Sequence, residues 1–255
     1  MPRRWFSKNA AREGKGVRLA RYISKCGILS RSRAGELIAA GKVQVNGKPV
    51  FDPEIRISPV LDNVEIDRQP IARRPPTYIA LNKPTGVITT AHDPEGRPTV
   101  YGLLPPDSGW LIPVGRLDKD TSGLLLLTND TAFADRVTSP TRKVPKTYLV
   151  KVQGKITDET VDRLQNGVAI DDDYVTLPAK VSIDRRNKGT AWLSVTIFEG
   201  KYRQVRRMCE AVDLHVQQLI RIRIGKLELG PLAKGSWRPL SEEEKAAVFA
   251  EKPGT

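Results

Sequence analysis

Gly115-Arg116-Leu117-Asp118-Lys119-Asp120-Thr121-Ser122-Gly123-Leu124-Leu125-Leu126-Leu127-Thr128-Asn129-Asp130 is the run on which the reading of this chain turns. Its uninterrupted leucines ending on Thr128 predict a short strand over Leu124 to Thr128, too apolar to face water on either side. Just before them, Asp118 and Asp120 stand in a Gly-bounded loop. A loop tethered to a buried strand holds a side chain still and leaves it open to solvent, which makes Asp118 a candidate reactive carboxylate. Asp and Gly are also ordinary turn chemistry, so position alone does not separate a reactive Asp118 from a turn-forming one.

Working outward, extended structure is predicted for Tyr78 to Leu81, Gly86 to Thr90, Leu111 to Val114, Thr147 to Val152, Trp192 to Phe198 and Leu219 to Ile224, all rich in β-branched and large apolar residues. Helices fall between them. Asp130 opens one carrying Phe133 and Val137; Thr157 or Asp158 opens another that runs through Val161 and Leu164 to Gly167; a third begins at Tyr202 with Val205, Cys209 and Val212 inward. Ser241-Glu242-Glu243-Glu244 has the form of a capping box for a last short helix. The expected class is α+β on a mixed, mainly antiparallel sheet.

The amino-terminal part has a different pattern. Leu19, Ile23 and Cys26 lie at helical spacing, Gly27 is a stop, Ser30 caps a second helix carrying Ala34, Leu37 and Ile38, and Gly41 ends it. Val43 and Val45 then lead into Asn46-Gly47, a two-residue hairpin turn that returns Val50 opposite Val43. Arg73-Arg74-Pro75-Pro76 breaks every period and reads as a stiff linker. The expected domains are a basic arm over 1–16, a helical and hairpin module over 17–73, a linker over 74–77, a larger domain over 78–240, and a helix and tail over 241–255.

Charge separates these regions further. Among 255 residues, 42 Lys and Arg against 29 Asp and Glu give +13, an excess that suits polyanionic partners. Between Val17 and Lys48, Arg18, Arg21, Lys25, Arg31, Arg33, Lys42 and Lys48 face Glu36 alone, which suits a phosphate backbone. Cys26 and Cys209 have no second Cys or His at ligand spacing, so no metal cluster or disulfide framework is expected. No apolar run approaches the ~20 residues of a membrane span, and the first residues lack a secretory signal's apolar segment, which makes the cytoplasm the expected location.

Leu19-Ala20-Arg21-Tyr22-Ile23, Ser30-Arg31-Ser32-Arg33-Ala34 and Leu37 to Gly47 resemble the small RNA-binding domain first seen in ribosomal protein S four. The Gly115 to Asp130 run resembles the catalytic signature of pseudouridine synthases of the RsuA/RluB family. In the right order, Asn82-Lys83-Pro84-Thr85-Gly86, Asp93-Pro94-Glu95-Gly96-Arg97-Pro98-Thr99-Val100, Lys146-Thr147-Tyr148 and Glu199 to Met208 look like its other motifs. The likeness extends over about residues 17 to 240. It implies an rRNA uridine isomerase acting on ribosomal RNA or a pre-ribosomal particle; that chemistry calls for no cofactor or metal, and a monomer is the default expectation.

It also implies site roles: Asp118 reacting at the ribose, Tyr148 stacking on the target uracil, Arg206 as the cation beside Asp118, and Arg116 filling the gap that a flipped base leaves. Arg18, Arg21, Arg31, Arg33 and Lys42 are the expected backbone grips. The Asp93 to Val100 loop points to 23S RNA of the large subunit; the alternatives are 16S RNA, or a non-catalytic RNA-binding assembly factor. Arg221 and Arg223, alternating with Ile220, Ile222 and Ile224, are read as one strand face open to an RNA backbone.

Overall fold

The computed structural model describes residues 16–171 and 174–250, so the expected basic arm up to residue 15 and the final tail from residue 251 lie outside the described residues. The chain divides into two compact units. One holds the residues up to Thr77 with Pro105–Ile112 and Asn129–Thr131; the other holds Tyr78–Leu104, Pro113–Thr128 and the chain from Ala132 onward.

In the first unit, helix α1 (Leu19–Lys25) buries Leu19, Ala20 and Ile23 and stops where Gly27 takes φ +71°. The Ser30 side chain accepts a bond from the Arg33 amide at 3.1 Å and so caps α2 (Arg31–Ala39), which buries Ala34 and Ile38. Such a cap contributes ~1 kcal/mol by satisfying a free helix amide. Strands β1 (Val43–Val45) and β2 (Lys48–Val50) form the expected hairpin: Val43 faces Val50, and Asn46 and Gly47 take φ +53° and +74°. β3 (Val64–Ile66) and β4 (Gln69–Pro70) extend this sheet through a second left-handed turn, Asp67-Arg68, which carries no glycine to announce it. The Arg73–Pro76 run is tied down within this unit. The Arg74 amide donates to Cys26 O at 3.0 Å, and Asn129 Nδ2 donates to Pro75 O at 2.9 Å.

The second unit is built on a mixed sheet. Its strands are β5 (Tyr78–Lys83), β6 (Ser122–Thr128), β7 (Lys146–Gln153), β8 (Lys180–Asn187), β9 (Thr190–Ile197), β10 (His215–Ile224) and β11 (Trp237–Pro239). They run in the spatial order β8, β9, β7, β10, β6, β5, β11, antiparallel everywhere except where β10 meets β6. Every residue of β6 is buried, which explains its unbroken apolar run, and each of its leucines adds roughly 1.5–3 kcal/mol of burial. Helices α3 (Thr131–Thr138), α4 (Asp158–Asn166), α5 (Gln204–Glu210) and α6 (Glu242–Ala247) complete the order. Leu164 of α4 and Val205, Met208 and Cys209 of α5 pack with Val150, Leu193 and Val195 in one core. Thr157 and Ser241 form capping boxes at the starts of α4 and α6.

Three expectations are corrected here. Gly86 to Thr90 forms no strand; its pairing is a single bridge from Ile88 to Thr99. The third helix begins at Gln204, because Arg203 takes the left-handed φ of +48° and ends the preceding turn. Arg221 does not face solvent: it is 4% exposed, and its Nε is bonded to the backbone of β6. Among the described residues no helix is long and apolar enough to cross a membrane.

Candidate active site

The loop before β6 is held at both ends. Gly115 takes φ +75°, the Thr89 hydroxyl donates to Leu117 O at 2.8 Å, and the Thr121 amide donates to Asp118 O at 3.1 Å. At the far end Gly123 adopts φ +102° opposite Arg221 of β10, and a Cβ there would fall 2.2 Å from the Arg221 carbonyl. Only glycine fits this approach of two backbones. Asp118 is thereby fixed over a pocket of about 600 Å³ that is also lined by Arg116, Lys146, Tyr148, Tyr174, Tyr202, Arg203 and Arg221. The volume suits a nucleoside-sized ligand.

Tyr148 lines the pocket from β7, packed against the core to which Val150 and Val152 belong. Arg116 stands exposed on the pocket wall. The structure therefore brings Asp118, Tyr148 and Arg116 together.

Arg206 lies beside the loop, where the charges of Asp120 and Asp118 both act on it and its direct contacts are to Asp120. Its Nη2 donates to Asp120 O at 2.9 Å, and its Nε lies 3.2 Å from Asp120 Oδ2. The arginine nearest Asp118 is Arg203, at 3.8 Å, and Arg203 also grips both Asp120 oxygens at 3.0 Å. Asp120 thus acts as the hub. Burial pushes its carboxyl up, but the Arg203 hydrogen bonds and the Arg206 charge outweigh that and hold it below its ordinary value. Arg206 is itself lowered by burial.

Two lysines at the site, Lys83 buried and Lys146 partly buried, carry lowered ammonium groups. Lys83 is fully buried beneath the loop, where Nζ donates to Thr121 O at 2.8 Å and Pro84 O at 2.9 Å. Burial lowers its ammonium to about 8 against the pull of Asp118 and Asp120. Lys146 is likewise lowered to about 8, by burial and by the Arg221 charge. A lysine inside a run of apolar strand residues was the available signal. On the opposite wall Glu199 accepts from the Tyr174 hydroxyl, the Leu177 amide and Gln204 Nε2.

A model of RNA pseudouridylate synthase matches residues 77–211, which contain the loop, Tyr148 and both arginines. The chain belongs to that family. An S4 domain model matches residues 17–59 of the same chain. This synthase is 40% identical to ribosomal large subunit pseudouridine synthase B of Bacillus subtilis, over 89% of this chain and 93% of the relative. It is 37% identical to ribosomal small subunit pseudouridine synthase A of Escherichia coli, over 91% and 100%. A crystal structure of a pseudouridylate synthase superposes with a TM-score of 0.67 at 33% identity, covering 91% of this chain and 99% of that one.

The N-terminal basic residues are disposed unevenly. Arg18 pairs with Glu54 at 2.8 Å and Arg33 with Glu36 at 2.6 Å, whereas Arg21, Arg31 and Lys42 are exposed with no ion pair among the described residues.

Proposed function

We propose that this synthase isomerises uridine to pseudouridine in ribosomal RNA, with 23S RNA of the large subunit as its target. The observation that carries the reading is a pocket of nucleoside size lined by both Asp118 and the aromatic Tyr148. The isomerisation breaks the ribose C1′–N1 bond, turns the base, bonds C1′ to C5 and removes the C5 proton. Nothing is oxidised and no group is imported, so a carboxylate at C1′ suffices, as nucleophile or as base toward a ribose proton. Both routes need Asp118 ionised. Arg203 and, through Asp120, Arg206 set positive charge beside the loop, which opposes the cost of desolvating that carboxylate.

Tyr148 stacks on the flipped uracil, and its hydroxyl helps to take the C5 proton; Arg116 fills the space the base vacates. Residues 17–73 grip the RNA backbone through Arg21, Arg31 and Lys42, with Arg18 and Arg33 joining when RNA phosphate competes for them. Residues 78–240 perform the chemistry. The protein acts as a cytoplasmic monomer on rRNA or a pre-ribosomal particle. The large-subunit target is supported by the Asp93–Val100 loop, which Arg97 stiffens by donating to both Asp93 oxygens at 2.7 and 3.1 Å.

Carbodiimide adducts read by primer extension in rRNA from cells with and without the protein test this. Loss of one stop in 23S RNA is expected. A stop lost only in 16S RNA reverses the subunit assignment, and no lost stop in either overturns the reading.

A further inference from the structure

We propose that Lys146 and Arg221 form a cationic pocket floor that carries the negative charge acquired by the target uracil when its bond to ribose breaks. This rests on the isomerase reading and deepens it. When C1′–N1 breaks, the electron pair stays on the base, giving a uracil anion whose charge spreads over N1 and the two carbonyl oxygens. That holds whether Asp118 attacks C1′ or removes a ribose proton. The anion persists until C5 bonds to C1′, and a fixed positive charge that stabilises it lowers the barrier to scission.

A census of pocket charges points to these two residues. The loop contributes Asp118 and Arg116, the segment after β9 contributes Glu199 and Lys201, the start of α5 contributes Arg203, β7 contributes Lys146, and β10 contributes Arg221. Arg203 is neutralised by Asp118 and Asp120, and Glu199 is engaged by Tyr174, Leu177 and Gln204. Arg116 and Lys201 are exposed at the rim. There remain Lys146, partly buried, and Arg221, 4% exposed, with no carboxylate in ion-pair range among the described residues.

Both flank the stacking ring: Lys146 precedes Tyr148 by two positions on β7, and Arg221 lies opposite Tyr148 on β10. Arg221 Nε donates to Leu124 O at 2.7 Å, while its Nη2 is buried without a hydrogen-bond partner. Buried donors without a partner are rare and call for an acceptor. A flipped nucleotide enters base first, so its phosphates stay near the rim and the buried donor meets the base.

The test uses the full chain and rRNA transcripts, with single-turnover rates and RNA affinity measured separately. Lys146→Gln should slow tritium release from 5-tritiated uridine by about 10²-fold while affinity stays within a few-fold. Lys146→Arg should restore most of the rate. The parent rate should fall above pH about 8 as Lys146 loses its proton, and Lys146→Arg should make that fall shallower, leaving only what Lys83, also lowered to about 8 beneath the loop, contributes. In transcripts carrying 5-fluorouridine, the electron-withdrawing fluorine stabilises the departing anion. There the Lys146→Gln deficit, read as 5-fluorouridine consumed, should shrink severalfold.

A deficit of equal size on both substrates overturns the inference and leaves Lys146 a packing residue. Loss of affinity with a flatter salt dependence and unchanged rate overturns it in favour of a phosphate contact. If Lys146→Gln does not fold, an alkaline fall in Lys146→Arg as steep as the parent's overturns it. A parent that releases no tritium from any rRNA overturns the isomerase reading instead.

Discussion

Arg21 and Arg31 of the first unit stand exposed without carboxylate partners among the described residues, whereas in the second unit Arg203 and Arg206 are clamped on Asp120 and Arg221 is buried. The same side chain is placed under opposite electrostatic conditions. An exposed guanidinium keeps its hydration and attracts a polyanion over a range that salt shortens to about 10 Å. A buried one has given up water and acts only on what it touches, where the low dielectric strengthens its field and geometry matters most. Affinity and chemistry are thus expected to separate along the chain, and substitutions should divide the same way.

The largest effect is expected at Asp118. Asp118→Asn should lower tritium release from 5-tritiated uridine by at least about 10³-fold with RNA affinity nearly unchanged, since Asn keeps the shape and loses the reactive charge. Parallel loss of affinity would erase the division. Next comes the clamp. Arg206→Ala should cost about 10²-fold in turnover and Arg206→Lys less, because Lys restores the charge without the planar fork. Asp120→Asn should resemble Arg206→Ala, since Asp120 anchors both arginines; full activity in Asp120→Asn would show the clamp to be idle.

On the exposed side, Arg21→Ala combined with Arg31→Ala should weaken RNA binding about tenfold at moderate salt. The slope of log affinity against log salt should flatten by about 0.7–0.9 for each phosphate that is no longer neutralised. Turnover at saturating RNA should not change. The smallest effect concerns acid. Asp120 has a depressed carboxyl, so the stability it adds is present above its unfolded value near 4 and is lost as pH falls through its lower folded value. The thermal stability gap between parent and Asp120→Asn should therefore be constant at neutral pH and close only below pH ~4. It should be modest, because the Asp120 side chain is 47% exposed.

How far the sequence foretold these arrangements depends on the range of the forces involved. The Ser30 cap, the Asn46-Gly47 turn with Val43 opposite Val50, and the Ser241 capping box are local, and each was legible from a few neighbouring residues. The pocket residues Asp118 and Tyr148 were legible through motif resemblance, since nothing in their spacing ties β7 to the loop. β8 was missed because Val181 and Ile183 alternate only briefly before Asp184-Arg185-Arg186, as befits an edge strand whose outer end is solvated. Gly86 to Thr90 misled in the other direction: β-branched content alone does not supply a partner strand. The pairing of Arg203 with the loop was not legible in the sequence, and it turns on one backbone angle. Helical periodicity cannot orient Arg203, which stands outside α5 in a left-handed conformation and so reaches the loop independently of the helix face.

The short parallel ladder at Gly123 bears on when the enzyme comes into being during synthesis. Asp118 hangs from β6, whereas Arg203, Arg206 and Arg221 belong to segments made more than eighty residues later. The ladder between β6 and β10 pairs Ile220 with Ser122 and Arg221 with Gly123, and the Arg221 side chain adds a bond to Leu124 O. A nascent chain that has emerged only as far as β9 contains Asp118 and Tyr148, yet it has neither Arg203 and Arg206 nor the strand that carries Arg221. The pocket that these residues line together is therefore complete only in a nearly finished polypeptide.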